Sequence, residues 1–107
     1  MYDERLKIIA DHYGIDSQLD ILQEELSELI QAVSKYRRYG SVNIVEEIAD
    51  VYIMLGQVVY LLDKQKQRVD VYAFFSLMIE KKIRRQLKRI DEEAGNNGKQ
   101  GSNQSEQ

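Results

Sequence analysis

The chain has no cysteine and no proline, and only one histidine in 107 residues. Without cysteine there is no disulfide, no thiolate metal site and no cysteine nucleophile. The single His12 excludes a zinc site built from several histidines. No run is long and apolar enough to span a membrane. The start, MYDERLKIIA, carries acids early and lacks a small-residue cleavage site, so it does not read as a signal peptide. Charge is not strongly one-sided: the net value is -3, with both signs mixed along the chain. That balance argues against binding to a nucleic-acid polymer. These absences together lead us to expect a soluble, cytoplasmic protein with no membrane partner. The lack of proline, with glycines mostly between apolar-periodic segments, favours an all-α domain.

Four helices are readable from apolar spacing. The first spans about residues 2–13, with Tyr2, Leu6, Ile9 and Tyr13 as its stripe and Gly14 as its stop. The second begins near Asp16 or Ser17, either of which can cap it, and runs to about Tyr39 before Gly40. Leu22, Leu26, Leu29 and Val33 form its stripe. The third covers about residues 44–63, with Ile44, Ile48, Val51, Leu55, Val58 and Leu62 aligned. After the polar break KQKQR, the fourth runs from about residue 70 to 93. From Gly95 the composition turns to glycine, asparagine, glutamine and serine without apolar content. We therefore expect a helical domain over residues 1–93, a bundle of about four helices, and a disordered polar tail over 94–107. A chain of this length buries a modest core, so association with further copies would help its stability.

What is present in quantity is acid at a particular spacing. Glu25 and Glu28 occur in QEELSELIQA, and Glu47 and Asp50 in VEEIADVYIML. Each pair is spaced i, i+3, which places two carboxylates on one helix face. At about 100° per residue, Glu47 falls between Val51 and Met54, inside the apolar face. Asp50 lies to one side, with Ile53 and Gln57. Glu25 borders Leu22 and Leu29, and Glu28 lies farther out with Ile21 and Ala32. A short turn joins the two helices, which should pack antiparallel and can bring all four carboxylates to one groove. Ionised carboxylates in a partly desolvated groove repel one another. A hard divalent cation such as Mg²⁺ resolves that conflict. The competing reading is a solvated helix face, as Glu24 and Glu46 suggest, or a buried ion pair for Glu47.

The fourth helix carries MIEKKIRRQLKRI. Lys82 lies near its apolar face, and Arg85 and Arg89 follow at i+3 and i+7. This column suits phosphate oxygens, with Arg offering a bidentate fork and Lys a point charge. It also suits ordinary complementarity with the helix C-terminus. Gln18, one turn before the acids of its helix, has an amide able to read a base edge, or serves as a simple first-turn polar residue.

Glu24-Glu25-Leu26-Ser27-Glu28 followed by Glu47-Ile48-Ala49-Asp50 resembles the EExxE…ExxD signature of the MazG-like, all-α nucleoside triphosphate pyrophosphohydrolases. HYGIDSQLDILQEELSELIQAVSKY and EEIADVYIMLGQV look like the small single-domain members, and the resemblance covers residues 12–90. It implies that Glu25, Glu28, Glu47 and Asp50 hold Mg²⁺, with Mn²⁺ as a possible substitute. It further implies a K-x-x-R-like element, matched here by Lys82 and Arg85, that meets the phosphates. The reaction it implies cleaves a (d)NTP between the α and β phosphates, giving (d)NMP and pyrophosphate. Either Glu28 or Glu24 would take the proton from the attacking water. Members of the family assemble as homodimers or homotetramers. Larger relatives have a longer ending where this chain has LKRIDEEAGNNG. The alternatives are a phosphoribosyl-ATP pyrophosphohydrolase-like enzyme and a catalytically silent helical oligomerisation or binding module.

Overall fold

A computed structural model describes residues 3–65 and 69–105, with side chains placed up to residue 96. It contains four helices: α1 (Glu4–Tyr13), α2 (Ile15–Tyr39), α3 (Asn43–Gln65) and α4 (Val71–Ser105). Among the described residues there is no strand, so the all-α expectation holds. Tyr2, read as the start of the first helix, lies outside the described residues, as does much of the KQKQR break. The chain divides into two compact units, Met1–Tyr72 and Ala73–Gln107.

The first unit holds α1, α2 and α3. Asp3 caps α1 by accepting from the Arg5 backbone N–H at 2.9 Å. Gly14 ends α1 with φ 86°, a conformation costly for any residue with a side chain. The same glycine is the N-cap of α2, which has no side-chain cap. Neither Asp16 nor Ser17 serves that purpose, because α2 starts before both of them, at Ile15. Gly40 closes α2 in the left-handed region, its N–H donating to the Tyr36 carbonyl at 2.8 Å. Only Gly40, Ser41 and Val42 separate α2 from α3. So short a connection forces the two helices antiparallel, and they make the principal helix–helix contact of the unit.

The core is small and α3 supplies most of it. Val51, Met54, Val58 and Leu61 are buried, joined by Ala10 of α1 and Ala32 of α2. This differs from the spacing-based stripe. Ile48, Leu55 and Leu62, expected inside, are exposed, while Met54 and Leu61 are buried. On α1, Ile9 and Tyr13 are exposed, and Ala10 faces α3. The apolar arc of each helix in this unit is wider than the faces it packs against its neighbours, so its outer edge is left uncovered.

A polar clasp ties α1 to α3. Asp11 accepts from the Tyr60 hydroxyl at 2.9 Å and from Lys64 Nζ at 2.7 Å. Those two donors hold the Asp11 carboxyl below its ordinary value. A depressed carboxylate stabilises the fold above its unfolded value and loses that contribution as pH falls. Asp11→Asn should therefore lower the melting temperature at neutral pH. The gap from wild type should close as pH drops below the ordinary aspartate value of 3.8. Paired thermal melts across that range check this.

The second unit is the body of α4. The helix runs past Glu93, through the glycine-containing stretch read as a polar tail, and ends at Ser105. Glycine disfavours helix by only about 1 kcal/mol relative to alanine, and the stretch contains no proline to break the hydrogen-bond ladder. Along α4, Arg84 pairs with Glu80 at 2.8 Å and Lys88 with Glu92 at 4.0 Å.

Candidate metal centre

The antiparallel packing of α2 on α3 brings the two acidic pairs face to face. Glu25, Glu47 and Asp50 each offer a carboxylate oxygen, and these oxygens all lie within 4.8 Å of one another. All three side chains are half-buried. Glu25 Oε2 and Glu47 Oε2 are fully enclosed, and neither has a hydrogen-bond partner among the described residues. Glu28 is the most exposed of the four predicted ligands. It lines a pocket of about 270 Å³ with Gln31, Ala32, Lys35, Asn43 and Glu47. Glu24 is also exposed.

The electrostatics follow from this geometry. Glu25 is pushed above the ordinary glutamate value, first by burial and then by the charges of Glu28, Asp50, Glu47 and Glu24. Glu47 is raised too, again first by burial, then by the charges of Glu28 and Asp50. An ionised carboxylate only accepts hydrogen bonds, and no donor is at hand for the two enclosed oxygens. Hydrogen bonding within the chain thus leaves the cluster unsatisfied. A hard cation fits the donor set, which is carboxylate oxygen throughout.

The domain model of the MazG nucleotide pyrophosphohydrolase matches residues 14–90, a span that contains both acidic helices and the basic column of α4. The chain belongs to this family. Its members are nucleotide pyrophosphohydrolases, hydrolases that act on phosphoanhydride bonds. No curated protein and no solved structure matches the chain.

Within this MazG domain the other predicted residues are placed as follows. Lys82 and Arg85 are exposed on α4 and line a groove of about 400 Å³ with Met78, Lys81, Arg84 and Lys88. Arg84 and Lys88 are paired along the helix, whereas Lys82 and Arg85 have no ion pair among the described residues. Gln18 is not at the surface. It is 4% exposed, and its Nε2 donates to Oε1 of Gln57, itself 2% exposed, at 2.7 Å. The physical reason is register, since an amide on the α2 face that meets α3 is covered whatever its polarity.

The spacing of the acids did not single out Asn43. Its Oδ1 is enclosed without a partner, in the same pocket as Glu28 and Glu47. The signal was available: Asn43, Glu47 and Asp50 follow i, i+4, i+7 along one face of α3. Gln57 extends that row by two further turns.

Proposed function

We propose that the chain hydrolyses a nucleoside triphosphate between its α and β phosphates, releasing the monophosphate and pyrophosphate. In this reading Glu25, Glu28, Glu47 and Asp50 hold Mg²⁺, for which Mn²⁺ substitutes. The observation that carries it is the pair of enclosed, partnerless oxygens on Glu25 and Glu47, set among like charges. The bound cation would neutralise phosphate oxygens and lower the pKa of a water.

The chain's own residues do the rest. Glu28, at the solvent edge of the cluster, accepts the proton of the attacking water at a carboxylate oxygen, with Glu24 as the neighbouring alternative. The water oxygen bonds to the α phosphorus as the bond from that phosphorus to the bridging oxygen breaks. Lys82 and Arg85, free of carboxylate partners on α4, are assigned to the phosphates and the departing pyrophosphate. Gln18 is left out of the substrate contacts, because its amide is spent on Gln57 within the core. We assign the protein to a homodimer or homotetramer. Ile30 of α2 and Ile48 and Tyr52 of α3 are at least half exposed, and large apolar side chains left in water favour association with a further copy. Among the described residues no helix is long and apolar enough to cross a membrane, which accords with a cytoplasmic setting.

Product identification tests the reading. Incubation with individual NTPs and dNTPs plus Mg²⁺ should yield monophosphate and pyrophosphate. Diphosphate with orthophosphate contradicts the assigned bond, turnover of phosphoribosyl-ATP alone moves the protein to that related activity, and no turnover of any of them leaves a silent module. The double variant Lys82→Ala/Arg85→Ala should raise KM by at least about 10-fold, since charge-assisted bonds to phosphate contribute roughly 1.5–3 kcal/mol each. An unchanged KM removes these two residues from the phosphate contacts.

A further inference from the structure

Glu25 with Asp50, and Glu28 with Glu47, are opposite one another across an antiparallel seam, so their residue numbers share one sum. Gln18 and Gln57 share that same sum. The amide pair is therefore the next polar rung of the ladder that carries the acids, two helical turns away, or roughly 10 Å along the axis. Its hydrogen bond is short, 2.7 Å, and both side chains are at least nine-tenths buried. The remaining donor capacity of Gln57 goes to Met54 Sδ at 3.7 Å, a soft contact within α3.

The apolar part of the seam does not by itself define a unique alignment. Leu22, Leu29 and Ala32 on α2, and Val51, Met54 and Val58 on α3, are buried or half-buried, and aliphatic side chains accept one another after a one-turn slide. The acids do not define it either, since without a cation they repel. Within the buried part of the seam, the amide pair loses its partner when the helices slide, leaving two buried polar groups unsatisfied. A single buried polar pair fixes helix register in coiled coils by this means.

We propose that Gln18 and Gln57 are positioning residues that set the register of α2 against α3 and so hold the four carboxylates opposite one another before any cation binds. The proposal rests on reading the acidic cluster as a metal site, but the register itself is measurable without metal. Methionine matches glutamine in length and volume and lacks the amide. In Gln18→Met/Gln57→Met, helix content by circular dichroism should be retained while the alignment becomes heterogeneous.

The chain has no cysteine, so spin labels at Arg37→Cys and Gln65→Cys, both exposed positions, report the axial offset of the two helices. Pulsed electron-resonance distances are measured without metal, in protein diluted with unlabelled chain. Wild type should give one narrow distance. The double variant should add a population shifted by about 5 Å, one helical turn. Mn²⁺ titration of unlabelled protein, read by electron resonance, should show affinity about 10-fold weaker in the variant. A single wild-type distance in the variant overturns the proposal, as does unchanged Mn²⁺ affinity. If wild type itself binds no Mn²⁺, the metal reading fails and the distances alone decide the register. If the methionine variant does not fold, Gln18→Leu/Gln57→Leu takes its place under the same criteria.

Discussion

Glu47→Gln should lower pyrophosphate release by at least about 100-fold while leaving the helical fold intact. The substitution keeps side-chain length and shape and removes one charge from the centre of the cluster. Loss of a residue that merely supports a metal ligand already costs 10–100-fold, so loss of a ligand charge costs no less. The same change relieves repulsion in the metal-free protein, where Glu47 is held above the ordinary glutamate value by burial and by the charges of Glu28 and Asp50. The metal-free variant should therefore melt at a higher temperature than metal-free wild type. Turnover and thermal melts on the same preparation check both halves. A variant with full turnover removes Glu47 from the site. One that is inactive and also unfolded shows only that the position is structural.

Withholding metal should abolish turnover and expose an unusual dependence of stability on pH. Glu25 and Glu47 both have folded-state values raised above about 4.5. A group raised on folding takes up protons more readily in the native state. Its contribution is complete below the unfolded value and is lost as pH rises through the folded value. The metal-free melting temperature should thus fall as pH increases from about 4.5 upward. Asp3 works in the opposite sense on the acid side. The Arg5 side chain, followed by its backbone N–H, draws the Asp3 carboxyl down to about 2, and its contribution fades as pH falls below 3.8 towards that value. Saturating Mg²⁺ should cancel the alkaline limb, because the cation replaces the proton as the counter-charge, and should leave the acid limb alone. Melts with EDTA and with excess Mg²⁺ over the same pH range distinguish the two. A flat profile above pH 4.5 in EDTA means that the carboxylates do not share a site.

The acidic cluster was largely legible because helical geometry converts spacing into direction. Placing Glu47 between Val51 and Met54 on the wheel was enough to expect it inside, and its Oε2 is enclosed. Direction alone does not say how deeply a neighbour covers a face. Ala32 was read as lying outward with Glu28, yet it is buried, since the three-residue turn of Gly40, Ser41 and Val42 folds the start of α3 back over the end of α2. The exposure of Ile48 and Leu55 has the same origin: a wheel shows the apolar arc, not which part of it finds a partner within one chain. Gln18 was misplaced because polarity outweighed position in the reading. A buried amide requires a hydrogen-bonding partner, and here that partner lies thirty-nine residues further along, on another helix. The end of α4 was read from composition, which weighs glycine against helix but does not forbid it. The assignment of residues 94–107 as a tail separate from the domain stays a proposal, and truncation after Glu93 with unchanged melting temperature and turnover would support it.

The three-residue link between α2 and α3 also bears on how the protein is made. Everything that forms the carboxylate cradle lies in two consecutive helices, so the loop that closes to bring Glu28 to Glu47 is short and its entropic toll is small. Contacts this local form quickly. On a ribosome the hairpin is complete once residue 65 has left the exit tunnel, before α4 is available. The newborn chain then holds its acids together with only an amide rung and a few aliphatic side chains opposing their repulsion, and a cation captured at that moment would act as a folding partner before it served as a cofactor.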